Sequence, residues 1–195
     1  MDLFAPALTQ VIADDEGGIR YWPAFAARDE ADAWFQMLRS GADWHTARRQ
    51  MYDRMVDVPR LLASYGVDAL PSSLPLADIL ARVRSFVPAP YNGIGMNLYR
   101  DGNDSVAMHN DKHHTLVPGQ PISLVSLGEP RRMSIRAKTG NRQNMFIELE
   151  PGSLLVMSHA SQITHEHGIP KTTRHVGPRM SIVFRVRPKG WADDY

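Results

Sequence analysis

The sequence predicts a mainly β protein with flanking helices (α+β), an antiparallel jelly roll with its helices packed on the outside. Three observations predict it. The first 90 residues carry two helical periodicities, short alternating strands follow one another from Tyr91 onward, and turn signals rather than helices separate those strands. A chain of 195 residues is long enough for one compact domain with a sizeable core and short for two. The expected organisation is therefore a single unit over residues 1–195, with N-terminal helices and a lid at about 44–73 inside residues 1–90, and a jelly-roll core over 91–188.

The first helix is predicted over Asp29 to Leu38. Ala33, Trp34, Met37 and Leu38 fall at helical spacing, and Asp29, Glu30 and Asp32 occupy the first turn, where the helix dipole favours negative charge. The stretch from Trp44 to Ser73 is irregular and rich in arginine (Arg48, Arg49, Arg54, Arg60), and reads as loops or a hairpin lying over one face. Leu76, Ile79, Leu80, Val83, Phe86 and Val87 mark a second amphipathic helix, with Ser72 or Ser73 as its cap and Pro88 and Pro90 to end it. Strands follow where Ile94, Met96 and Leu98 alternate with Gly95, Asn97 and Tyr99, then over Ile122 to Leu127, Met133 to Lys138, Met145 to Glu150, Ser153 to Met157 and Arg179 to Val186. Thr139-Gly140-Asn141 and Pro151-Gly152 supply turns between them.

Composition narrows the function classes. The chain is 43% hydrophobic and 22% charged, so it folds, and a net charge of +1 neither demands nor excludes a nucleic-acid partner. It has no cysteine, which excludes disulfide scaffolds, thiolate metal sites and cysteine nucleophiles. Any metal must use His, Asp or Glu. No apolar run approaches a membrane span, and Asp2 stands where a leader would carry basic residues; a cytoplasmic monomer with no membrane partner is expected.

Two segments carry chemistry. His109-Asn110-Asp111 is an H-x-D triplet, and on an extended strand residues i and i+2 point to one side, so an imidazole and a carboxylate can converge on one ion. His113, His114, His159, His165, His167 and His175 are candidates for the third ligand, and spacing alone does not choose among them. The second segment is Arg179 to Arg185. Met180, Ile182, Phe184 and Val186 form one face, while Arg179, Ser181, Val183 and Arg185 form the other. Two arginines on the inner side of a core strand are costly unless anions pair with them, and a guanidinium fork suits carboxylates, so a dicarboxylate would serve both. Asn97 and Tyr99, again an i, i+2 pair, offer neutral hydrogen bonds from a second strand.

Taken in order, Asn97-Leu-Tyr99-Arg-Asp-Gly102, His109-Asn-Asp111, Pro121 to Gly128, Arg131, Gly152 to Met157, His167-Gly-Ile-Pro170-Lys171, Pro178-Arg179 and Phe184-Arg185 resemble the AlkB family of 2-oxoglutarate/iron(II) dioxygenases. The match is tight from Tyr91 to Arg187 and looser through Trp44, Val58-Pro59-Arg60 and Tyr65-Gly66. The resemblance implies a double-stranded β-helix. It implies that His109, Asp111 and His167 bind iron(II), and that Asn97, Tyr99, Arg179 and Arg185 hold 2-oxoglutarate, with Ser181, where the family often has Asn, as a further expected contact. It also implies oxidative demethylation of alkylated bases in DNA or RNA: oxygen and 2-oxoglutarate give succinate and carbon dioxide, an N-alkyl carbon is hydroxylated, and formaldehyde leaves. A hydroxylase or demethylase of a small molecule or protein is the alternative expectation.

The match departs from the family's DNA-repair members at the substrate end. Where those commonly follow H-x-D with acidic residues, this chain has Lys112 and His113, and Val67 to Pro71 supplies no aromatic after Tyr65-Gly66. Tyr52, Arg60, Lys112 and His113 are the expected substrate residues. Arg48, Arg49, Arg54 and Arg60 in the lid, together with the acid-free stretch from Lys171 to Lys189, are the expected phosphate contacts.

Overall fold

The structure is a computed structural model and describes residues 8–51 and 53–190. It opens with a hairpin of β1 (Thr9–Ile12) and β2 (Ile19–Trp22) that the helical reading of the N-terminus misses. Four-residue strands are too short to show a period; a turn makes them pair. The Asp14 carboxylate accepts the N–H groups of Glu16 (2.9 Å) and Gly18 (2.7 Å) and folds the chain back.

α1 (Arg28–Gly41) starts one residue before the predicted helix and runs three beyond it, burying Ala31, Trp34, Phe35 and Leu38 on one face. β3 (Arg48–Met51) and β4 (Arg54–Asp57) form the hairpin anticipated in the arginine-rich stretch. The remainder of that stretch is not irregular: β5 (Leu61–Gly66) is an edge strand of the main sheet. α2 (Leu76–Phe86) is not capped by Ser72 or Ser73. Pro75 takes the N-cap place and makes no side-chain cap bond, while the serines sit in the turn that Leu74 N–H closes onto the Pro71 carbonyl.

The jelly roll then unfolds as β6 (Gly93–Tyr99), β7 (Val106–His109), β8 (Ile122–Gly128), β9 (Arg131–Ala137), β10 (Asn144–Leu149) and β11 (Ser153–Met157). A short helix not foreseen in the sequence, α3 (His159–Thr164), leads into β12 (His165–Ile169), and β13 (Arg179–Arg185) closes the fold. One sheet has the order β1-β2-β11-β8-β13-β6-β5, the other β10-β9-β12-β7, with all pairs antiparallel.

The larger sheet is buried on both faces. Met180, Ile182, Phe184 and Val186 pack with Ile94, Met96 and Leu98 under the two long helices. Val183, Tyr99 and Leu124 pack toward the smaller sheet against Met133, Ile135 and Ile169. The alternation read in β13 is thus one of two apolar environments, helix-facing and sheet-facing, and β13 is an interior strand of its sheet, between β8 and β6. Gly152, at φ 75, makes the predicted turn into β11, where a Cβ would stand 2.7 Å from the Ala26 carbonyl oxygen. Among the described residues no helix is long and apolar enough to cross a membrane.

Candidate active site

The two histidines meet because β7 and β12 pair. His167 lies opposite His109 in the antiparallel ladder, with ring centroids 4.6 Å apart. The register shifts between His167 and Ile169, and Gly168 makes this close approach possible: a Cβ there would stand 2.9 Å from Val106 O and 3.0 Å from Met108 N. The other third-ligand candidates fall elsewhere. His113, His114 and His175 are exposed, His159 lies edge-on to His113 at 5.7 Å, and the His165 Nδ1 meets Thr164 Oγ1 at 2.8 Å.

Burial favours the neutral form of both imidazoles. His109 Nδ1 donates to the Ala107 carbonyl at 2.9 Å, which leaves Nε2 as its unprotonated nitrogen. Burial lowers the His109 pKa against the opposing pull of Ala107 and Asp111. His167 is pushed down to about 3, by burial first and then by His109.

Asp111 is not on the strand. β7 ends at His109, so pleat alternation does not aim its side chain. Its N–H donates to Gln162 Oε1 at 3.0 Å, and its carbonyl accepts Asn110 Nδ2 at 3.0 Å. Arg185 grips the carboxylate, with Nε 2.6 Å from Oδ2 and Nη2 3.2 Å from Oδ1. Burial acts to raise this carboxyl's pKa, but the Arg185 charge and hydrogen bond outweigh it and hold the group far below the ordinary carboxylate range.

As these side chains stand, with Asp111 turned to Arg185, no three His, Asp or Glu groups among the described residues are close enough to share one ion. The chemistry of the donor set nevertheless fits: two imidazoles held toward the neutral form and one carboxylate held toward the ionised form are the ligand types of a non-haem iron(II) centre.

The anion end is better defined. Arg179 is fully buried, donates Nε to Ser126 Oγ at 3.1 Å, and has no hydrogen-bond partner for Nη1 or Nη2. Its guanidinium lies 5.1 Å from the centre of the Tyr99 ring, and that of Arg131 lies 5.8 Å from the same ring. Burial lowers the Arg179 pKa, and Tyr99 opposes it. Two orphaned N–H donors on a buried cation are what a carboxylate would satisfy. Cross-strand register places Tyr99 beside Arg179 and Asn97 beside Ser181, and Asn97 Nδ2 donates to Ser181 Oγ at 3.3 Å.

Of the predicted substrate residues, Arg60 is drawn into this network. Its Nε donates to Asn97 Oδ1 at 2.7 Å and its Nη1 to the Ser105 carbonyl at 3.2 Å. Lys112 and His113 are exposed at the start of a short turn after Asp111. Tyr52 lies outside the described residues.

Two polar residues of the site escaped prediction as functional. Arg131 is buried and donates to the Asp101, Asp104 and Pro170 carbonyls, joining loops from both ends of the site. Its signal was a cation in phase with Met133 and Ile135 on an apolar strand face. Gln162 had no signal, since a glutamine in a short helix advertises nothing.

Comparison with known proteins agrees with this architecture. The model of the 2OG-Fe(II) oxygenase superfamily matches residues 63–185. The human DNA oxidative demethylase ALKBH2 is 31% identical over 178 residues, covering 80% of this chain and 68% of that protein. The mouse alpha-ketoglutarate-dependent dioxygenase alkB homolog 3 is 28% identical over 184 residues, covering 85% of this chain and 64% of that one. The solved structure of OsALKBH1 shares the fold, with a TM-score of 0.59 at 15% identity over 87% of this chain and 98% of that chain. The chain belongs to the 2OG-Fe(II) oxygenase superfamily, in its AlkB family, and is a dioxygenase that uses iron(II), 2-oxoglutarate and oxygen.

Proposed function

We propose that this enzyme removes alkyl groups oxidatively from nucleobases of DNA or RNA, releasing succinate, carbon dioxide and formaldehyde. The observation that carries the reading is the similarity, over four-fifths of the chain, to DNA oxidative demethylases. In this reading His109, Asp111 and His167 hold iron(II). Arg179 takes the far carboxylate of 2-oxoglutarate on its unpartnered nitrogens, and Tyr99, Asn97, Ser181 and Arg185 complete the cradle. Bound iron supplies the oxygen activation, while the protein orients both reactants and keeps the anion end dry.

The substrate end is read from charge. Lys171, Arg174 and Lys189 are exposed in a stretch with no acidic residue, which suits a phosphate backbone. Arg187 and Lys189 line an open cavity of about 460 Å³ beside Tyr65 and Asn92, two residues beyond Arg185. The β3–β4 hairpin, with Met55 and Val56 exposed, serves as the substrate lid. The test is formaldehyde release from N-methylated single- and double-stranded oligonucleotides with iron(II) and 2-oxoglutarate. Release from at least one of them is expected. Succinate formation stimulated by a metabolite or protein but by no oligonucleotide would turn the reading to a non-nucleic-acid substrate, the reading that exposed Lys112 and His113 beside Asp111 would favour.

A further inference from the structure

β7 stops at His109, so nothing in the ladder holds Asp111 in place. A side chain from elsewhere takes over that task. Gln162, 1% exposed, lies 51 residues further along the chain in α3, and its Oε1 accepts the Asp111 N–H at 3.0 Å. The amide's orientation is forced. The Asp111 backbone offers a donor, so Gln162 must present oxygen to it; the Nε2 group then falls near Met157 Sδ (3.6 Å) and Ser161 Oγ (3.5 Å), which can accept.

α3 is itself fixed at both ends. Ser158 Oγ accepts the Ser161 N–H at 2.9 Å, and Lys138 Nζ donates to the Gln162 carbonyl at 2.7 Å. The helix then runs directly into β12, whose third residue is His167. One buried side chain thereby joins the loop carrying Asp111 to the segment carrying His167.

We infer that Gln162 is a positioning residue for iron binding: it sets the peptide plane of Asp111 so that the carboxylate can turn from Arg185 toward the two imidazoles. The role rests on the reading of His109, Asp111 and His167 as the metal ligands. It gives an aspartate beyond the strand end a fixed backbone from which to reach a site built on two strands. Groups that orient ligands without touching the metal typically change affinity about 10–100-fold when removed.

The experiment uses the full chain and Mn(II) and Co(II) as probes, without turnover. Gln162→Met keeps length and volume but removes the acceptor; Gln162→Glu keeps an acceptor oxygen. Calorimetric Mn(II) titration should show Gln162→Met binding at least about tenfold more weakly. The visible ligand-field bands of bound Co(II) should shift in the same variant, while the melting temperature of the metal-free protein stays near wild type. Gln162→Glu should recover most of the affinity. Wild-type affinity and an unchanged Co(II) spectrum in Gln162→Met would overturn the role, as would an affinity loss that merely tracks a loss of folded protein in both variants. A wild-type protein that binds neither ion would remove the ligand assignment, and this role with it. Binding by the wild type with no change in the variant removes only the role.

Discussion

Arg185 holds both carboxylate oxygens of Asp111, at 2.6 and 3.2 Å, with both side chains nearly buried. A buried pair of this kind is most costly to break from one side, because the partner's charge is left without compensation. Arg185→Met should therefore destabilise the metal-free protein by about 3 kcal/mol at neutral pH, read as a lowered urea midpoint at unchanged slope. Added 2-oxoglutarate should not restore it. A variant as stable as wild type would show the pair to be replaceable by solvent.

Arg179 predicts the opposite balance. Its two terminal nitrogens are buried without partners, so the ligand-free protein carries an uncompensated cation. Arg179→Met should leave the ligand-free melting temperature equal or higher, and raise the KM for 2-oxoglutarate at least about tenfold, one charge-assisted fork being worth roughly 1.5–3 kcal/mol. Millimolar 2-oxoglutarate should raise the melting temperature of the wild type and not of the variant. Arg179→Lys should not rescue, since lysine cannot present a planar fork.

His167 makes stability depend on pH. Its folded pKa is about 3, against an ordinary value of 6.5, so below pH 6.5 the unfolded chain takes up a proton that the folded chain refuses. Stability is fully present above pH 6.5 and falls as pH drops toward 3, by up to about 1.4 kcal/mol per unit from this residue alone. Asp111, held below its ordinary range, adds loss of the same sign below pH 4. Denaturation midpoints of the metal-free protein at pH 7 and pH 5 should differ accordingly, and His167→Gln should narrow the gap. An unchanged gap would place the titration elsewhere.

Gly168 is required by space, its φ being ordinary. A methyl group there meets the β7 backbone at 2.9–3.0 Å. Gly168→Ala should cost about 1–3 kcal/mol, as overpacking does, and weaken Mn(II) binding by pushing His167 away from His109. Full metal affinity in a destabilised variant would separate the two effects and refute the second.

Lys171 and Arg174 are exposed and lie in the acid-free stretch. Replacing both with glutamine should weaken oligonucleotide binding and reduce the slope of log affinity against log salt by roughly 1.4–1.8, the single- and double-strand values for two phosphate contacts. The KM for 2-oxoglutarate should not move. An unaltered salt slope would mean that the nucleic acid, if bound, runs elsewhere.

Legibility in the sequence followed where information is local. The alternation in β13 predicted its two faces, because each residue's side of the pleat is set by its immediate neighbours. Asn97 and Tyr99 were readable for the same reason, and register then put them beside Ser181 and Arg179. β1, β2 and β5 were not legible: their pairing depends on distant strands, and four to six residues carry too little period. The H-x-D argument assumed an extended strand through Asp111. The strand ends two residues earlier, and the placement of Asp111 is set instead by contacts from two other elements, its N–H bonded to Gln162 and its carboxylate to Arg185.

The site is divided between two slabs. The histidines ride on the four-stranded sheet, and Arg179 and Ser181 on the seven-stranded one, with an apolar layer including Leu124, Ile135 and Val183 between them. Sliding one slab past the other by a single residue step, about 3.3 Å, would leave every strand intact. It would nonetheless carry His109 and His167 away from the residues read as holding 2-oxoglutarate. Heat should thus spoil the tool before it melts the metal-loaded fold. The first symptom would be a fall in 2-oxoglutarate turnover, at temperatures where the β-sheet signal is still whole.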